Sequence, residues 1–121
     1  MLAARGASAG GTIIGVVANE APALFKVLVA DVPFVDVITT LLDPTLPLTE
    51  SDIVEWGNPK VPADARYLLE YSPYQQVREQ DYPKLLVQAS KNDGRVGAHE
   101  ALKWMAKIRV YSTGSGLQLV D

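Results

Sequence analysis

The stretch Arg5-Gly-Ala-Ser-Ala-Gly-Gly-Thr12 decides which fold the sequence predicts. It matches the pattern G-x-S-x-G, in which a strand turns sharply into a helix and the serine sits at the turn. A strand-like segment, Met1–Arg5, leads into it, and the apolar segment Thr12–Glu20 predicts a helix buried on most sides. The branched run Phe25–Ala30 then predicts a second strand. The context is therefore the strand, turn, helix and strand that the pattern requires.

This arrangement resembles the nucleophile elbow of α/β-hydrolases, whose chemistry follows from the turn. Gly6 and Gly10 flank the turn, and we expect a Cβ at either position to collide with a neighbouring strand or helix. The hydroxyl of Ser8 is then exposed at the carboxyl edge of a sheet. The backbone N–H of Ala9 would form half of an oxyanion hole, because it opens a helix whose dipole favours a developing negative charge.

Two other interpretations use the same glycines. The pattern alone also fits a glycine-rich connector, since its residue types are common. Gly6-x-Ser8-x-x-Gly11 further imitates the dinucleotide-binding pattern G-x-G-x-x-G, and Asp31 follows about 20 residues later, where a ribose-binding acid belongs. Against this interpretation, Ser8 replaces the middle glycine and the preceding strand is short. A P-loop is excluded, because no Gly-Lys-Ser/Thr follows.

Composition limits the class of protein and its partners. The 121 residues suffice for one domain, and a net charge of −3 without a basic run argues against a nucleic-acid partner. No apolar run approaches a spanning helix and the N-terminus lacks a signal-peptide layout, so we expect no membrane partner. The chain has no cysteine and one histidine, which predicts neither metal nor cofactor and fits a cytoplasmic protein.

The remaining segments continue the alternation of strands and helices. Helices are predicted over Val35–Leu42, Asp64–Tyr71 and His99–Tyr111, and strands over Lys84–Ser90 and Leu117–Val120. This alternation predicts an α/β fold with a parallel sheet and flanking helices.

Acidic residues at two places are candidates for function. Asp31 and Asp93 each lie just beyond a predicted strand, at the carboxyl edge where α/β sheets place functional residues. Asp31 fits an ordinary loop or cap acid equally well. Glu50, Asp52 and Glu55 cluster near the middle of the chain. Such a cluster is typical of a solvated helix start, and the alternative is a cation-binding wall.

Eight motifs span nearly the whole chain: Arg5-Gly-Ala-Ser-Ala-Gly-Gly11, Ala30-Asp-Val-Pro-Phe-Val-Asp-Val37, Leu42-Asp-Pro-Thr-Leu-Pro-Leu-Thr49, Glu55-Trp-Gly-Asn-Pro59, Tyr71-Ser-Pro-Tyr74, Tyr82-Pro-Lys-Leu-Leu-Val87, Asn92-Asp-Gly-Arg-Val96 and Lys103-Trp-Met-Ala-Lys-Ile-Arg109. In this order they resemble the catalytic domain of the prolyl oligopeptidase family of serine peptidases, in particular its oligopeptidase B branch. The resemblance implies an incomplete α/β-hydrolase fold. Residues 1–121 would form part of a peptidase catalytic domain, without the family's β-propeller domain.

The resemblance also implies roles for individual residues. Ser8 matches the nucleophile and Asp93 matches the acid of the catalytic triad. The family has a pocket for a basic side chain, with two acids just before the Glu-Trp-Gly-Asn-Pro motif. Asp52 stands at the first of these positions and Val54 at the second, so one acid is missing. The implied activity is hydrolysis of short peptides through an acyl-enzyme, with a preference for Arg or Lys left open.

The triad histidine of the family has no match in the sequence. In the family it lies in a Gly-His-Gly segment shortly after the strand that Leu117–Val120 begins. His99 does not match that position, and we expect a partly exposed residue at a helix start. The isolated chain is therefore expected to be inactive, and a non-catalytic fragment or binding module is the alternative interpretation. We also expect self-association, because the short segment Met1–Arg5 would leave the strand from Phe25 with an unpaired apolar edge.

Overall fold

Four strands and five helices make up the structure, a computed structural model that describes residues 1–121. In chain order they are β1 (Leu2–Ala7), α1 (Ala9–Glu20), β2 (Phe25–Asp31), α2 (Val37–Leu42), α3 (Thr49–Trp56), α4 (Pro62–Tyr71), β3 (Lys84–Gln88), α5 (Ala98–Tyr111) and β4 (Gln118–Val120). A short 3₁₀ turn over Pro22–Leu24 leads into β2. The predicted alternation of strands and helices is confirmed. None of the helices has the length and apolarity that a membrane crossing requires.

The predicted boundaries need correction near the turns. Helix α1 begins at Ala9 rather than at Thr12, α2 begins at Val37 rather than at Val35, and β1 extends to Ala7. Glycine has a low helix propensity, so the two glycines after Ala9 give no helix signal in the sequence. The predicted start of α1 therefore falls after them. Of the two, Gly11 lies close to Pro33, whereas Gly10 faces open space.

All four strands are parallel and lie in the order β1-β2-β3-β4. Leu28 of β2 pairs with Ala4 of β1 on one side and with Leu85 of β3 on the other. The prediction that the strand from Phe25 is an unpaired edge is therefore wrong, because β1 is long enough to cover it. The free edges belong to β1 and β4. Since the strands are parallel, the loops after them meet at one side of the sheet, which we call the carboxyl edge.

The main core lies between one face of the sheet and the helices α1 and α5. Strand residues alternate between the two faces: Leu28 and Ala30 are fully buried, whereas Val27 and Val29 on the opposite face are partly exposed. The two helices contribute Ile14, Ala18, Ala101, Trp104, Met105 and Ile108. The branched strands predicted as buried are thus fully buried on the helix side only.

A second, smaller core lies beside the carboxyl edge. It is formed by the helices α2, α3 and α4, which we call the cap, and its buried residues are Phe34, Val37, Leu41 and Leu68. The ring of Trp56 lies 5.2 Å from the ring of Phe34 and 6.4 Å from that of Tyr71. These aromatic contacts fix α3 and α4 against the segment that follows β2.

The glycines of the first turn differ in what surrounds them. A Cβ on Gly6 would lie 2.7 Å from the carbonyl carbon of Gly10 and 2.9 Å from Cγ1 of Ile14, so the expected collision is confirmed there. A Cβ on Gly10 would meet nothing within 4 Å, so the same expectation is wrong for Gly10. The second close approach involves Gly11 instead, where a Cβ would lie 2.5 Å from Cβ of Pro33.

Alanine substitutions at Gly6 and Gly10 test this difference. We expect Gly6→Ala to lower the free energy of unfolding by about 1–3 kcal/mol, because the backbone of α1 has to move away. Gly10→Ala should be neutral or stabilise by up to about 1 kcal/mol, since alanine is the better helix former. Urea denaturation followed by circular dichroism measures both values. Equal destabilisation by the two substitutions would contradict the packing described for this turn.

Candidate active site

The turn between β1 and α1 holds Ser8 in a strained backbone conformation, with φ 52° and ψ −120°. Strain of this kind costs about 1–3 kcal/mol and persists only where the surroundings enforce it. Three hydrogen bonds enforce it here. The N–H of Ser8 donates to the carbonyl of Asp31 at 3.0 Å, and the Ser8 carbonyl accepts from the N–H groups of Gly11 at 2.9 Å and Phe34 at 3.1 Å. The Ser8 backbone is therefore fixed from three directions, while the residue itself is exposed.

Ala9 is the first residue of α1 and is exposed beside Ser8. The first N–H groups of a helix have no acceptor within the helix, and the positive end of the helix dipole lies there. The first turn of α1 has no acidic residue and no side-chain cap. This helix start can therefore stabilise an anion that develops next to Ser8.

Asp93 lies in the loop between β3 and α5. Because Ser8 and Asp93 both follow carboxyl ends of parallel strands, with β2 between, their strands lie about 10 Å apart. Oδ1 of Asp93 accepts the N–H groups of Arg95 at 2.8 Å and Val96 at 3.0 Å. The hydrogen bonds from Val96 and Arg95 hold the pKa of Asp93 below the usual range of an aspartate. At neutral pH this carboxylate is charged and fixed in its loop.

Asp31 ends β2 at the same edge, as predicted. Its Oδ2 lies 2.6 Å from Nε of Arg5, which donates a hydrogen bond and forms an ion pair with it. Asp31 therefore supports the turn through its carbonyl, which accepts the N–H of Ser8, while Oδ2 of its carboxylate pairs with Arg5 on β1 and Oδ1 is buried without a hydrogen-bond partner. The same pairing occupies the acid that the dinucleotide interpretation would use to bind a ribose.

A pocket of about 120 Å³ opens beside Ser8. Besides Ser8 and Ala9, its walls include Phe34, Asp52, Glu55, Trp56, Arg95 and Val96. Of the predicted site residues, Ser8, Ala9 and Asp52 therefore share one pocket. Asp93 does not line it, although the two residues that hydrogen-bond to Asp93 do.

Two acids lie on one wall of the pocket. Burial and the negative charge of Glu55 raise the pKa of Asp52, and the positive charge of Arg95 offsets part of this. Neither Asp52 nor Glu55 has a side-chain hydrogen bond or an ion pair within the chain. A carboxylate whose charge is disfavoured by burial and an acidic neighbour gains from a nearby cation. This wall can therefore receive a positively charged group.

Glu55, rather than residue 54, supplies the second acid of the wall. Val54 is 87% exposed and does not line the pocket. Residues three apart on a helix share a face, so Asp52 and Glu55 lie together while Val54 is turned away. That Val54 stands at the position of the second pocket acid stays a prediction from the sequence, and Glu55 adds an acid to the wall from a different position. Glu50 and Asp52 lie in the first turn of α3, as the helix-start interpretation expects, while Asp52 and Glu55 line the pocket, as the cation-binding alternative requires.

A larger apolar cleft, of about 580 Å³, adjoins the Ser8 pocket and shares Trp56 with it. Its walls come from α1, α3 and α4 and include Ile13, Tyr67 and Tyr71. The cleft extends the open space beside Ser8 beyond the size of one side chain. No pattern in the sequence predicts it, since it arises from the packing of the cap against α1.

His99 is exposed in the first turn of α5 and lies outside the pocket. No three side chains of His, Cys, Asp or Glu form a group that could hold a metal ion. Reasoning from the sequence gave no role to Trp56 or Arg95. Trp56 lies in Glu55-Trp-Gly-Asn-Pro59 and Arg95 lies in Asn92-Asp-Gly-Arg-Val96. The sequence does not tell which way their side chains point.

The chain is similar to known proteins in both sequence and structure. A sequence profile of the prolyl oligopeptidase family matches residues 1–120. Protease 2 of Moraxella lacunata is 50% identical over 112 residues, which cover 93% of this chain and 16% of that protein. Oligopeptidase B from Leishmania major superposes with a TM-score of 0.97 at 47% identity, covering 99% of this chain and 17% of that one. Oligopeptidase B from Trypanosoma brucei, solved with covalently bound antipain, gives the same values. The chain thus spans only 16–17% of the length of these relatives.

Proposed function

This chain belongs to the prolyl oligopeptidase family, and we propose that its 121 residues carry the nucleophile and the acid of a serine peptidase catalytic domain. Both the family and the α/β-hydrolase fold expected from the sequence are confirmed. The proposed reaction is the hydrolysis of short peptides by acyl transfer.

The proposed mechanism divides the work among three residues of this chain and one base. Ser8 attacks the peptide carbonyl, a histidine takes the serine proton, and Asp93 holds that histidine in the tautomer that can accept it. The N–H of Ala9 donates a hydrogen bond to the oxyanion that forms. His99 lies away from the pocket, so the proposal requires a histidine from outside these 121 residues.

The observation that carries this proposal is the strained turn that presents Ser8 at the start of α1. A glycine-rich connector has no reason to hold a serine at a costly positive φ with three hydrogen bonds. Asp93 at the same edge of the sheet supports the assignment. The relative from Trypanosoma brucei, with its covalently bound antipain, supports covalent chemistry within the family.

We further propose that the Ser8 pocket binds a basic side chain next to the cleaved bond. Asp52 and Glu55 supply two carboxylates without a partner of their own, and a guanidinium or ammonium group would satisfy both. The aliphatic stem of such a side chain would lie along Phe34 and Trp56.

The alternative function is a non-catalytic binding module that keeps the Asp52 pocket. It differs from the peptidase in needing no base and no reactive serine. The ion pair of Asp31 with Arg5 counts against the dinucleotide interpretation, which stays the remote alternative. A cytoplasmic location stays a prediction from the cysteine-free composition.

The isolated 121-residue chain should not hydrolyse peptides. Without a base, Ser8 keeps the high pKa of an alcohol, and loss of the base in such triads costs about 10⁶-fold in turnover. The measurement is hydrolysis of a fluorogenic Arg or Lys peptide, together with labelling of Ser8 by a fluorophosphonate. Rapid stoichiometric labelling of the isolated chain would contradict the prediction.

A chimera tests the function itself. Residues 1–121 would replace the matching segment of Leishmania major oligopeptidase B, which supplies the remaining chain. We expect hydrolysis, a loss of about 10⁶-fold in Ser8→Ala and a loss of about 10⁴-fold in Asp93→Asn, which keeps the Oδ1 acceptor of the loop. A folded chimera that binds peptides without cleaving them would instead establish the binding-module alternative.

Substitutions in the acidic wall test the proposed specificity in the same chimera. We expect Asp52→Asn or Glu55→Gln to lower kcat/KM for Arg and Lys peptides by about 10- to 100-fold, the value of a charge-assisted hydrogen bond. Glu50→Gln on the same helix is the matched control, because Glu50 is exposed and outside the pocket. Equal losses on basic and apolar peptides would rule out a charge-specific pocket.

We also propose that the isolated chain self-associates through the outer edge of β1. This edge has no partner strand, and unpaired strand edges recruit other chains. Sedimentation velocity should show concentration-dependent oligomers, and Ala3→Lys on β1 should shift them toward monomer. Ala63→Lys on α4 is the control, since it adds the same charge at another exposed site. A clean monomer at high concentration would refute the proposal.

A further inference from the structure

Glu100 is a buried acid for which the proposed mechanism has no use. It is only 1% exposed and lies in the first turn of α5. Its Oε2 accepts the N–H groups of Val35 at 2.7 Å and Asp36 at 2.9 Å, and its Oε1 accepts the hydroxyl of Thr40 at 2.6 Å. These donors come 60–65 residues earlier in the chain. The carboxylate thus accepts hydrogen bonds from two backbone N–H groups that have no partner within a strand or helix.

The segment that Glu100 holds, residues 32–36, is also the segment that fixes Ser8. The N–H of Phe34 donates to the Ser8 carbonyl at 3.1 Å, and the Phe34 carbonyl accepts the hydroxyl of Thr12 at 2.5 Å. Val32 begins the segment with φ 39°, which a β-branched residue adopts only under constraint. The segment is therefore strained, and its hydrogen bonds keep it in place.

Helix α5 connects this segment with the loop of the acid. It begins shortly after Asp93, and the N–H of Glu100 donates to the carbonyl of Gly97 at 3.0 Å. Lys103, on the same side of α5, forms an ion pair with the buried carboxylate of Asp36. The start of α5 is thus tied twice to the segment after β2.

We propose that Glu100 is a positioning residue that sets the orientation of the Ser8 turn relative to the Asp93 loop. The effect of this orientation on catalysis rests on the proposed function. Ser8 and Asp93 follow strands that are separated by β2, so no single turn fixes their relative position. The path from the Asp93 loop through Glu100, Val35 and Phe34 to Ser8 consists only of covalent neighbours and hydrogen bonds.

This role requires hydrogen-bond acceptors at the Glu100 position rather than a charge. A glutamine can accept both N–H groups with its carbonyl oxygen and donate from its amide to the oxygen of Thr40. Burial raises the pKa of Glu100, and the negative charge of Asp36 raises it further. The hydrogen bonds from the three donors lower the pKa, but only in part. A charged carboxylate is therefore costly at this position. Alanine instead leaves two buried N–H groups without an acceptor.

Amide chemical shifts of the full 121-residue chain test the proposal directly. We expect Glu100→Ala to shift not only Val35 and Asp36 but also Ser8 and Ala9 on one side and Arg95 on the other. Glu100→Gln should restore all of these amides to near their original positions. Glu100→Asp, which is one methylene shorter, should give intermediate shifts and serves if Glu100→Ala does not fold. The control is Glu70→Ala, which removes an exposed acid.

Two results would overturn the proposal. In the first, Glu100→Ala lowers thermal stability while the amides of Ser8, Ala9 and Arg95 keep their shifts, which is the behaviour of a merely structural residue. In the second, Glu100→Gln shifts them as much as Glu100→Ala does, so that acceptor geometry is not what matters.

The chimera adds a kinetic measurement. We expect Glu100→Ala to lower kcat by about 10²-fold, the cost of a misplaced catalytic group, with a smaller change in KM and recovery in Glu100→Gln. A loss in KM alone would count against positioning of the catalytic groups. If the unsubstituted chimera is inactive, the proposed function fails, and the amide shifts still decide whether Glu100 links the two loops.

Discussion

The backbone of Ser8 is the constraint on which the site depends. Its N–H and carbonyl are bonded to Asp31, Gly11 and Phe34, which belong to β2, to α1 and to the segment after β2. These bonds offset the cost of a positive φ at a residue with a Cβ. If one of the three neighbours moved, the turn could relax and the exposed hydroxyl would leave the start of α1. The position of this serine is therefore a property of the whole sheet edge rather than of a short motif.

The parts of the fold that depend on local rules could be predicted from the sequence. Short branched runs predict strands, and alternation with helices predicts parallel pairing, which in turn places residues after different strands at one edge. This reasoning predicts that Ser8, Asp31 and Asp93 follow strands that end at the same edge of the sheet. It also predicted that Gly6 has no room for a Cβ, because the helix of such a turn has to pass close to the strand before it.

The features that the sequence did not reveal depend on direction and on long-range pairing. Helical spacing places Glu55 in the pocket and turns Val54 outward. The spacing alone does not predict this, because it does not tell which side of α3 faces the pocket. A Cβ on Gly10 would point into open space, whereas one on the adjacent Gly11 would meet Pro33, and the sequence does not tell which side of α1 faces its neighbours. The partner of the Asp31 carboxylate, Arg5, follows from the register of β1 on β2, which no local pattern encodes.

The acids around the carboxyl edge differ in whether the chain itself satisfies them. Asp31 is paired with Arg5, Asp36 with Lys103, and Asp93 and Glu100 accept backbone N–H groups. Asp52 and Glu55 have no such partner, although they share a wall and Asp52 is partly buried. Their proximity is unfavourable, because burial and the charge of Glu55 both disfavour the charged form of Asp52. In the same pocket, an anion beside Ala9 would meet the positive end of α1 and a cation would meet the two acids. The proposed recognition of a basic side chain rests on this pair of acids, which has no ion-pair partner within the chain.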